Sequence, residues 1–361
     1  MMKKFDFVSI LKAFGIDPDL SNIKEFHRGH INDSFILEVE QKSYFFLQRI
    51  NHHVFKDPEA LMENLVKVYI ALNKHYGGSA NNPFPGIHQG ENNKQFYCDH
   101  DGNYWRVMDY VPDSRSFNIA ENVEIARKGA AAFGLFQLAI MEEDPEGYIP
   151  TIPNFHHLGM RLEQLKDALE KDALKRSRIA QREIDFALER MKYGEQLAEL
   201  LRKKIIPVRV THNDTKLNNV LFENNSIKSI CVVDLDTVMP GTVLYDYGDM
   251  VRTFTSPLEE DEPDPAKVVF REEIFEALTE GYLSELGGSL TKEEKEHLLF
   301  GAKIMLLMIG ARFLTDFLEG DHYFKTTREN HNLDRCRNQF ILLRQLEEKE
   351  NELQEIISKY S

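Results

Sequence analysis

Hydrophobic and polar positions change their period about a third of the way along the chain. From Ile23 to Asn51 they alternate: "FHRGHIND", then "SFILEVE", a polar "QKS" turn, then "YFFLQRI". Alternation of this kind predicts strands, the later two joined as a hairpin. The following "DPEALMENLVKVYIALNKHYG" changes to helical spacing, with Asp57 as N-cap, Pro58 at the first helical position and Gly77 as the stop. Turn residues then separate two short strands, the second being "YWRVMDYV". Beyond it the apolar spacing is helical in "IARKGAAAFGLFQLAIM", through the charged region 156–203, and again from Phe270 to Leu318. This order predicts an α+β protein with a small β-rich lobe at residues 1–108, a connector at 109–115 and a larger, mainly helical lobe at 116–361.

The first twenty residues, "MMKKFDFVSILKAFGIDPDL", read as an amphipathic helix rather than a leader, because Asp6 and Lys12 interrupt the apolar run. No apolar run approaches the length of a membrane span, and the 42% hydrophobic and 29% charged content is that of a soluble protein. A cytoplasmic location is the expectation. Three scattered cysteines, Cys98, Cys231 and Cys336, have no paired spacing and read as reduced. A net charge of −15 excludes an extended nucleic-acid or anionic-membrane surface. The acidic "SPLEEDEPDPAK" reads as a flexible surface loop.

The chemistry concentrates in "RVTHNDTKLNNVLF" and the later "SICVVDLDTVMPG". A polar run between apolar segments holds Asp214 and Asn219, and an apolar strand ends at Asp234, with Asp236 two residues on. If the extended form persists, Asp234 and Asp236 point to the same side. Carboxylate and amide oxygens suit a hard cation such as Mg2+, which keeps positions open for nucleotide phosphates and leaves one aspartate to orient a hydroxyl. In "YDYGDMVR", Asp246 and Asp249 read as scaffold, through helix capping and an ion pair to Arg252.

"HNDTKLNN" followed by "VVDLD" resembles the catalytic loop and metal strand of the aminoglycoside phosphotransferase and choline kinase superfamily, whose folds are protein-kinase-like. The resemblance implies ATP and Mg2+ as cofactors, Asp214 as catalytic base, Asn219 and Asp234 as metal holders, and His212 as a support of the loop. It also implies a nucleotide site. Gly29, His30 and Asn32 of the first hairpin would approach phosphate oxygens, Met108 would back the adenine, and the backbone of Asp109 to Val111 would bind its edge. Gln48 stands where a basic strand residue is expected, with Arg49 beside it; Glu59 or Glu63 would be the acid on the next helix. Together with "GHINDSF", "YFFLQRIN" and "GARFLTDFLEGDHYFKTTRENHN", these motifs resemble the N-acetylhexosamine 1-kinases. That implies transfer from ATP to the anomeric hydroxyl of an amino sugar, with Arg312, Tyr323 and Asp321 at the sugar. Other acceptors, choline or an aminoglycoside, and a non-catalytic nucleotide-binding regulator are the alternatives. Taken alone, Arg312 also has the spacing to pair with Asp316.

Overall fold

The computed structural model describes residues 5–26, 31–40 and 43–361. It divides into two compact units, one of residues 1–114 and 149–153 and the other of residues 115–148 and 154–361.

The first unit begins with α1 (Phe7–Ala13), whose N-cap Asp6 accepts from the Ser9 amide. Then come β1 (Ser21–Glu25), β2 (Asp33–Val39), β3 (Ser43–Ile50), α2 (Pro58–His75), β4 (Tyr97–Cys98) and β5 (Tyr104–Asp109). The strands form one antiparallel sheet in the order β1-β2-β3-β5-β4. Its register sets Phe35 opposite Leu47 and Leu47 opposite Val107, so one face is apolar. α1 covers that face, burying Ile10 and Leu11 against Phe35, Leu37, Leu47, Trp105 and Val107. The Trp105 indole is satisfied by donating to Asp99 at 2.8 Å. α2 forms as its ends dictate: Asp57 accepts from the Ala60 amide, Pro58 opens the helix, and Gly77 follows in the left-handed region. Asn64 of α2 ties in the short returning segment, exchanging hydrogen bonds with both backbone groups of Ile149. At the two-residue strand β6 (Ser114–Arg115) the chain passes into the second unit.

In the second unit, α3 (Val123–Ala139), α4 (Leu158–Lys171), α5 (Gln181–Leu188) and α6 (Lys192–Arg202) precede four short strands: β7 (Arg209–Thr211), β8 (Val220–Glu223), β9 (Ser229–Val232) and β10 (Met239–Gly241). α7 (Val243–Phe254), α8 (Glu272–Leu286), α9 (Lys292–Glu296), α10 (Leu298–Glu319), α11 (His331–Glu348) and α12 (Glu350–Tyr360) complete it. α10 is the core helix, packed on α4, α7 and α11. It corrects the reading that no apolar run reaches membrane-span length: its 22 residues are long and apolar enough, but 78% of that window is buried inside the protein. A helix apolar on every side is what a position amid several helices requires.

The acidic segment after α7 also differs from the expected flexible loop. Glu260 accepts from Arg252, Glu259 from Asn118, Asp261 contacts His331 at 2.9 Å, and Asn338 donates to the carbonyls of Glu260 and Glu262. Apart from Arg252, the partners that pin it lie 70 to 141 residues away in sequence, and local composition could not reveal them.

α7 and α10 cross where each has a glycine. A Cβ at Gly248 would lie 2.4 Å from the Gly301 carbonyl oxygen, and one at Gly301 would lie 2.5 Å from that of Leu244. Backbone cannot yield as a flexible side chain does. Gly301→Ala is therefore expected to cost about 1–3 kcal/mol by forcing the helices apart. An unchanged denaturant midpoint, measured by circular dichroism, would contradict that crossing.

Candidate active site

β7 pairs with β10 so that Thr211 faces Met239 and Arg209 faces Gly241. The chain leaves β7 through His212 and Asn213, the latter in the left-handed region that asparagine tolerates. The Asn213 amide donates to the carbonyls of Thr211, Thr237 and Met239, locking the loop onto both strands. From α7, Asp246 accepts from the backbone amides of His212 at 3.0 Å and Asn213 at 2.7 Å, while Thr215 donates its hydroxyl to the Asp246 carbonyl. This is a scaffold geometry. Burial nevertheless pushes the Asp246 carboxyl up to about 7, against the effect of those two amides.

His212 is a structural imidazole. Its Nε2 lies 3.2 Å from the Val233 carbonyl and so donates, and its Nδ1 accepts from the Asp214 amide at 3.2 Å. Burial between Phe133 and Phe136 pushes it down to about 4. Each nitrogen already has its partner in the neutral tautomer.

The loop presents Asp214, 23% exposed, with a partner at each carboxylate oxygen. Lys216 Nζ is 3.1 Å from Oδ1, and Asn219 Nδ2 is 3.2 Å from Oδ2. Burial pushes the carboxyl up, but Lys216 and His212 outweigh it and hold Asp214 below its ordinary value. Burial likewise opposes the Lys216 charge, and Asp214, Asp249 and Glu260 overcome it. The result is an ionised carboxylate with an ammonium beside it.

Asn219 donates its amide to both the backbone carbonyl and the side chain of Asp214, so its nitrogen faces the aspartate. Asp234 follows β9 in the left-handed region, and Leu235–Thr237 form a 3-10 turn. The extended form does not persist, so the expected common orientation of Asp234 and Asp236 fails: Asp234 is exposed and Asp236 is buried. Asp249 pairs through Oδ1 with Arg252 at 2.9 Å, and its buried Oδ2 has no hydrogen-bond partner. Among the described residues no group of three or more His, Cys, Asp or Glu is placed to hold a metal ion. The oxygens available are carboxylate and amide, which fit a hard cation that completes its shell with water or phosphate.

A second cluster lies beside this loop. His156 Nε2 bonds the Asn213 carbonyl at 2.9 Å, and the ring is buried against Phe155 and Tyr245. Both Asp214 and Arg312 act on it electrostatically, yet burial dominates and pushes it down to about 3. Arg312, from α10, donates to the Tyr323 hydroxyl at 3.4 Å and lies 5.5 Å from the ring centres of Phe155 and Phe324. It does not pair with Asp316, whose carboxylate instead accepts from the amides of His322, Tyr323 and Phe324 and from Asn332. Asp316 thus shapes the loop that carries Tyr323 and leaves Arg312 free of a carboxylate. Asp321 is set apart from the expected trio, bound to Arg176 at 2.6 Å and Asn332 at 2.9 Å.

In the first unit, Gly29 and His30 lie outside the described residues. Asn32 accepts from the Asn51 amide at 3.0 Å. Gln48, directly opposite Arg106, accepts from its Nε at 3.0 Å and Nη2 at 2.6 Å and donates to Ser34. Arg49 faces away and pairs with Asp33, while Glu59 is 3.6 Å from Lys94. Met108 is half-buried near the end of β5. The Asp109 amide donates to Gly86, its carboxylate meets His88 at 2.7 Å, and the Val111 carbonyl accepts from Ser114. Lys216, noted only as part of the polar run, and His156 and Arg161 were given no role from the sequence. Lys216 stands two residues from Asp214, which was signal enough, whereas Arg161 sits in a helix full of charges and gave none.

A small antiparallel sheet unit with a helical unit bearing this loop defines the protein-kinase-like α+β class. The chain belongs to the phosphotransferase enzyme family, whose profile matches residues 22–284. Solved structures agree in fold over nearly the whole length. An aminoglycoside phosphotransferase from Alicyclobacillus acidocaldarius matches at 10% identity and TM-score 0.63, covering 99% of this chain and 98% of that one. Choline kinase from Cryptosporidium parvum matches at 15% and 0.60, covering 96% and 97%. An amicoumacin kinase in complex with AMP-PNP and Ca2+ matches at 13% and 0.60, covering 96% and 94%.

The two depressed imidazoles set a pH dependence. The unfolded chain takes up protons at these histidines near pH 6.5, whereas the folded chain resists until about 3 at His156 and about 4 at His212. Stability from each is full above 6.5 and falls as pH drops, by up to about 1.4 kcal/mol per pH unit. Asp246, raised to about 7, acts in the opposite sense over the same window. His156→Asn should therefore flatten the acid limb between pH 6 and 4 by about 1.4 kcal/mol per pH unit. Urea unfolding of both proteins across that range checks it, and parallel limbs would refute it.

Proposed function

We propose that this protein is an ATP- and Mg2+-dependent kinase that transfers the γ-phosphoryl group to the anomeric hydroxyl of N-acetylhexosamines, giving the sugar 1-phosphate. The observation that carries the reading is Asp214: an ionised carboxylate with an ammonium on one oxygen and an amide on the other, in electrostatic reach of the Arg312 aromatic cluster.

Asp214 orients the acceptor hydroxyl through its carboxylate and takes the proton as the new P–O bond forms and ADP leaves. Lys216 fixes the rotamer of Asp214 and places positive charge where the transferred group bears negative charge. Asn219 and Asp234 would hold the Mg2+, which when bound neutralises phosphate charge. Arg312 offers a planar fork of donors to sugar oxygens, and Tyr323 a ring face and a hydroxyl. On this reading the nucleotide falls to Asn32, Gln48 and the backbone from Met108 to Val111 in the first unit; Gly29 and His30, also assigned to it, lie outside the described residues.

The test is ADP release with ATP, Mg2+ and a panel of N-acetylglucosamine, N-acetylgalactosamine, glucose, choline and kanamycin, with phosphorus NMR of the product. A sugar 1-phosphate from the acetylated sugars, abolished by a chelator, is expected; a product only from choline or kanamycin would replace the acceptor. Asp214→Asn should lower kcat at least about a hundredfold while ATP binding persists. Near-normal turnover by the folded variant would remove Asp214 from the mechanism.

A further inference from the structure

Among the described residues, Arg161 and Arg312 in the second unit have no carboxylate partner, and both sit around the same phenylalanine. Arg161, in the first turn of α4, donates to the carbonyls of Asn154 at 3.3 Å and Phe155 at 3.4 Å and to Gln164 at 3.1 Å. Its Nε is buried and makes no hydrogen bond. Arg312 lies over the ring of that same Phe155, and its one hydrogen bond is the long one to Tyr323. Arg190, Arg209 and Arg252 are neutralised, by Glu347, by Glu294 and by Asp249 with Glu260, whereas Arg271, also without a carboxylate, has its donors taken by the carbonyls of Ala120, Phe254, Thr255 and Ser256. What distinguishes this place is that two such guanidinium groups share it, close enough for one to lower the other.

Burial weakens both charges, and each repels the other. Arg161 falls to about 10 through burial, with Arg312 adding to it. Two uncompensated cations held together are costly, and an incoming group with oxygen lone pairs relieves that cost. Close by, His156 uses Nε2–H on the Asn213 carbonyl, which leaves Nδ1 as a buried acceptor with no donor. The cluster thus offers many N–H donors, one imidazole acceptor and three aromatic faces, and the carboxylate that acts on it, Asp214, is already paired with Lys216.

We infer that Arg161 is an acceptor-binding residue that joins Arg312 in a paired-guanidinium subsite, one that takes a carbonyl or carboxylate oxygen of the acceptor and rejects acceptors bearing an ammonium group. The inference rests on the proposed kinase reading for the location of the acceptor and goes beyond it in naming the selectivity. An N-acyl sugar supplies the oxygen as an amide carbonyl, a sugar acid as a carboxylate. A free amino sugar or a quaternary ammonium alcohol brings a third cation to two.

The experiment measures kcat/KM, and ligand-induced shifts in thermal midpoint, for N-acetylglucosamine, glucosamine, glucuronate, glycerate and choline. Wild type and the variants Arg161→Met and Arg161→Lys are compared, each checked for native circular dichroism. Wild type should favour the oxygen-bearing acceptors over glucosamine and choline by at least about tenfold. Arg161→Met should lose about 10- to 100-fold on them, mainly in KM, with a smaller loss on glucosamine, and Arg161→Lys should recover part of it. Preference for N-acetylglucosamine over glucuronate identifies the carbonyl as the source, and the reverse identifies the carboxylate. Turnover of glycerate but of no sugar would sink the hexosamine reading and keep the subsite. Preferred turnover of choline, equal losses on every acceptor in Arg161→Met, or neither turnover nor a thermal shift with any oxygen-bearing compound would overturn the subsite itself.

Discussion

The site in the second unit depends on one buried carboxylate accepting two consecutive backbone amides. Asp246 belongs to α7, and its bonds to the amides of His212 and Asn213 join that helix to the loop between β7 and β8. Those amides have no strand partner because the chain has just left β7 in a left-handed turn, and buried N–H groups without acceptors are costly. A single carboxylate satisfies both and fixes the direction in which the next residue, Asp214, emerges. α7 is in turn held by its close crossing with α10, where glycine faces backbone. Placement of Asp214 thus runs from helix packing, through Asp246, to the loop.

Asn213 and Thr237 extend the same logic. The Asn213 side chain takes three carbonyls, and the Thr237 hydroxyl donates to the His212 carbonyl, so the loop is tied to β7, to β10 and to the 3-10 turn before β10. His212 closes the third side through Val233. A loop of this kind loses little further entropy when a ligand arrives, which is the physical content of preorganisation. The short polar run therefore divides by partner: His212, Asn213 and Thr215 hold the backbone, and Asp214, Lys216 and Asn219 are joined side chain to side chain.

The division between strands and helices was legible because it depends on periodicity, and periodicity is local. Asp57, Pro58 and Gly77 mark the ends of α2 through capping rules that need no tertiary information. Asp214 and Asn219 were legible as a pair because the spacing within one loop is short. Asp234 was less so: assuming an extended chain put Asp236 on its side, whereas a left-handed residue at 234 turns the chain into a 3-10 turn. Gln48 was visible as an anomaly, but not the reason it is tolerated in the fold. Its buried side chain is satisfied by Arg106, 58 residues on, and only the β3–β5 register brings the two together. The acidic loop and Arg161 were opaque for the same reason, since their partners come from distant helices.

The cations around the site explain how so acidic a protein can handle anionic chemistry. Net charge is −15, yet Lys216, Arg252, Arg161 and Arg312 are gathered in one unit near a single loop. They fall into two kinds. Lys216 and Arg252 are matched, to Asp214 and to Asp249 with Glu260, and a matched charge holds geometry: it keeps a carboxylate ionised and in one rotamer while adding little net field. Arg161 and Arg312 are unmatched, and their field is not cancelled within the protein. An unmatched, partly buried charge is tolerated where a ligand supplies the missing partner, because the cost of the empty state returns as affinity in the filled one. The compensated cations therefore order the loop, and on the proposed reading the uncompensated ones would select what enters the site. That arrangement also localises the acidity: carboxylates elsewhere on the surface repel anionic ligands at long range, but their influence is screened beyond about 8 Å at physiological salt, and contact with the guanidinium pair is made well inside that distance.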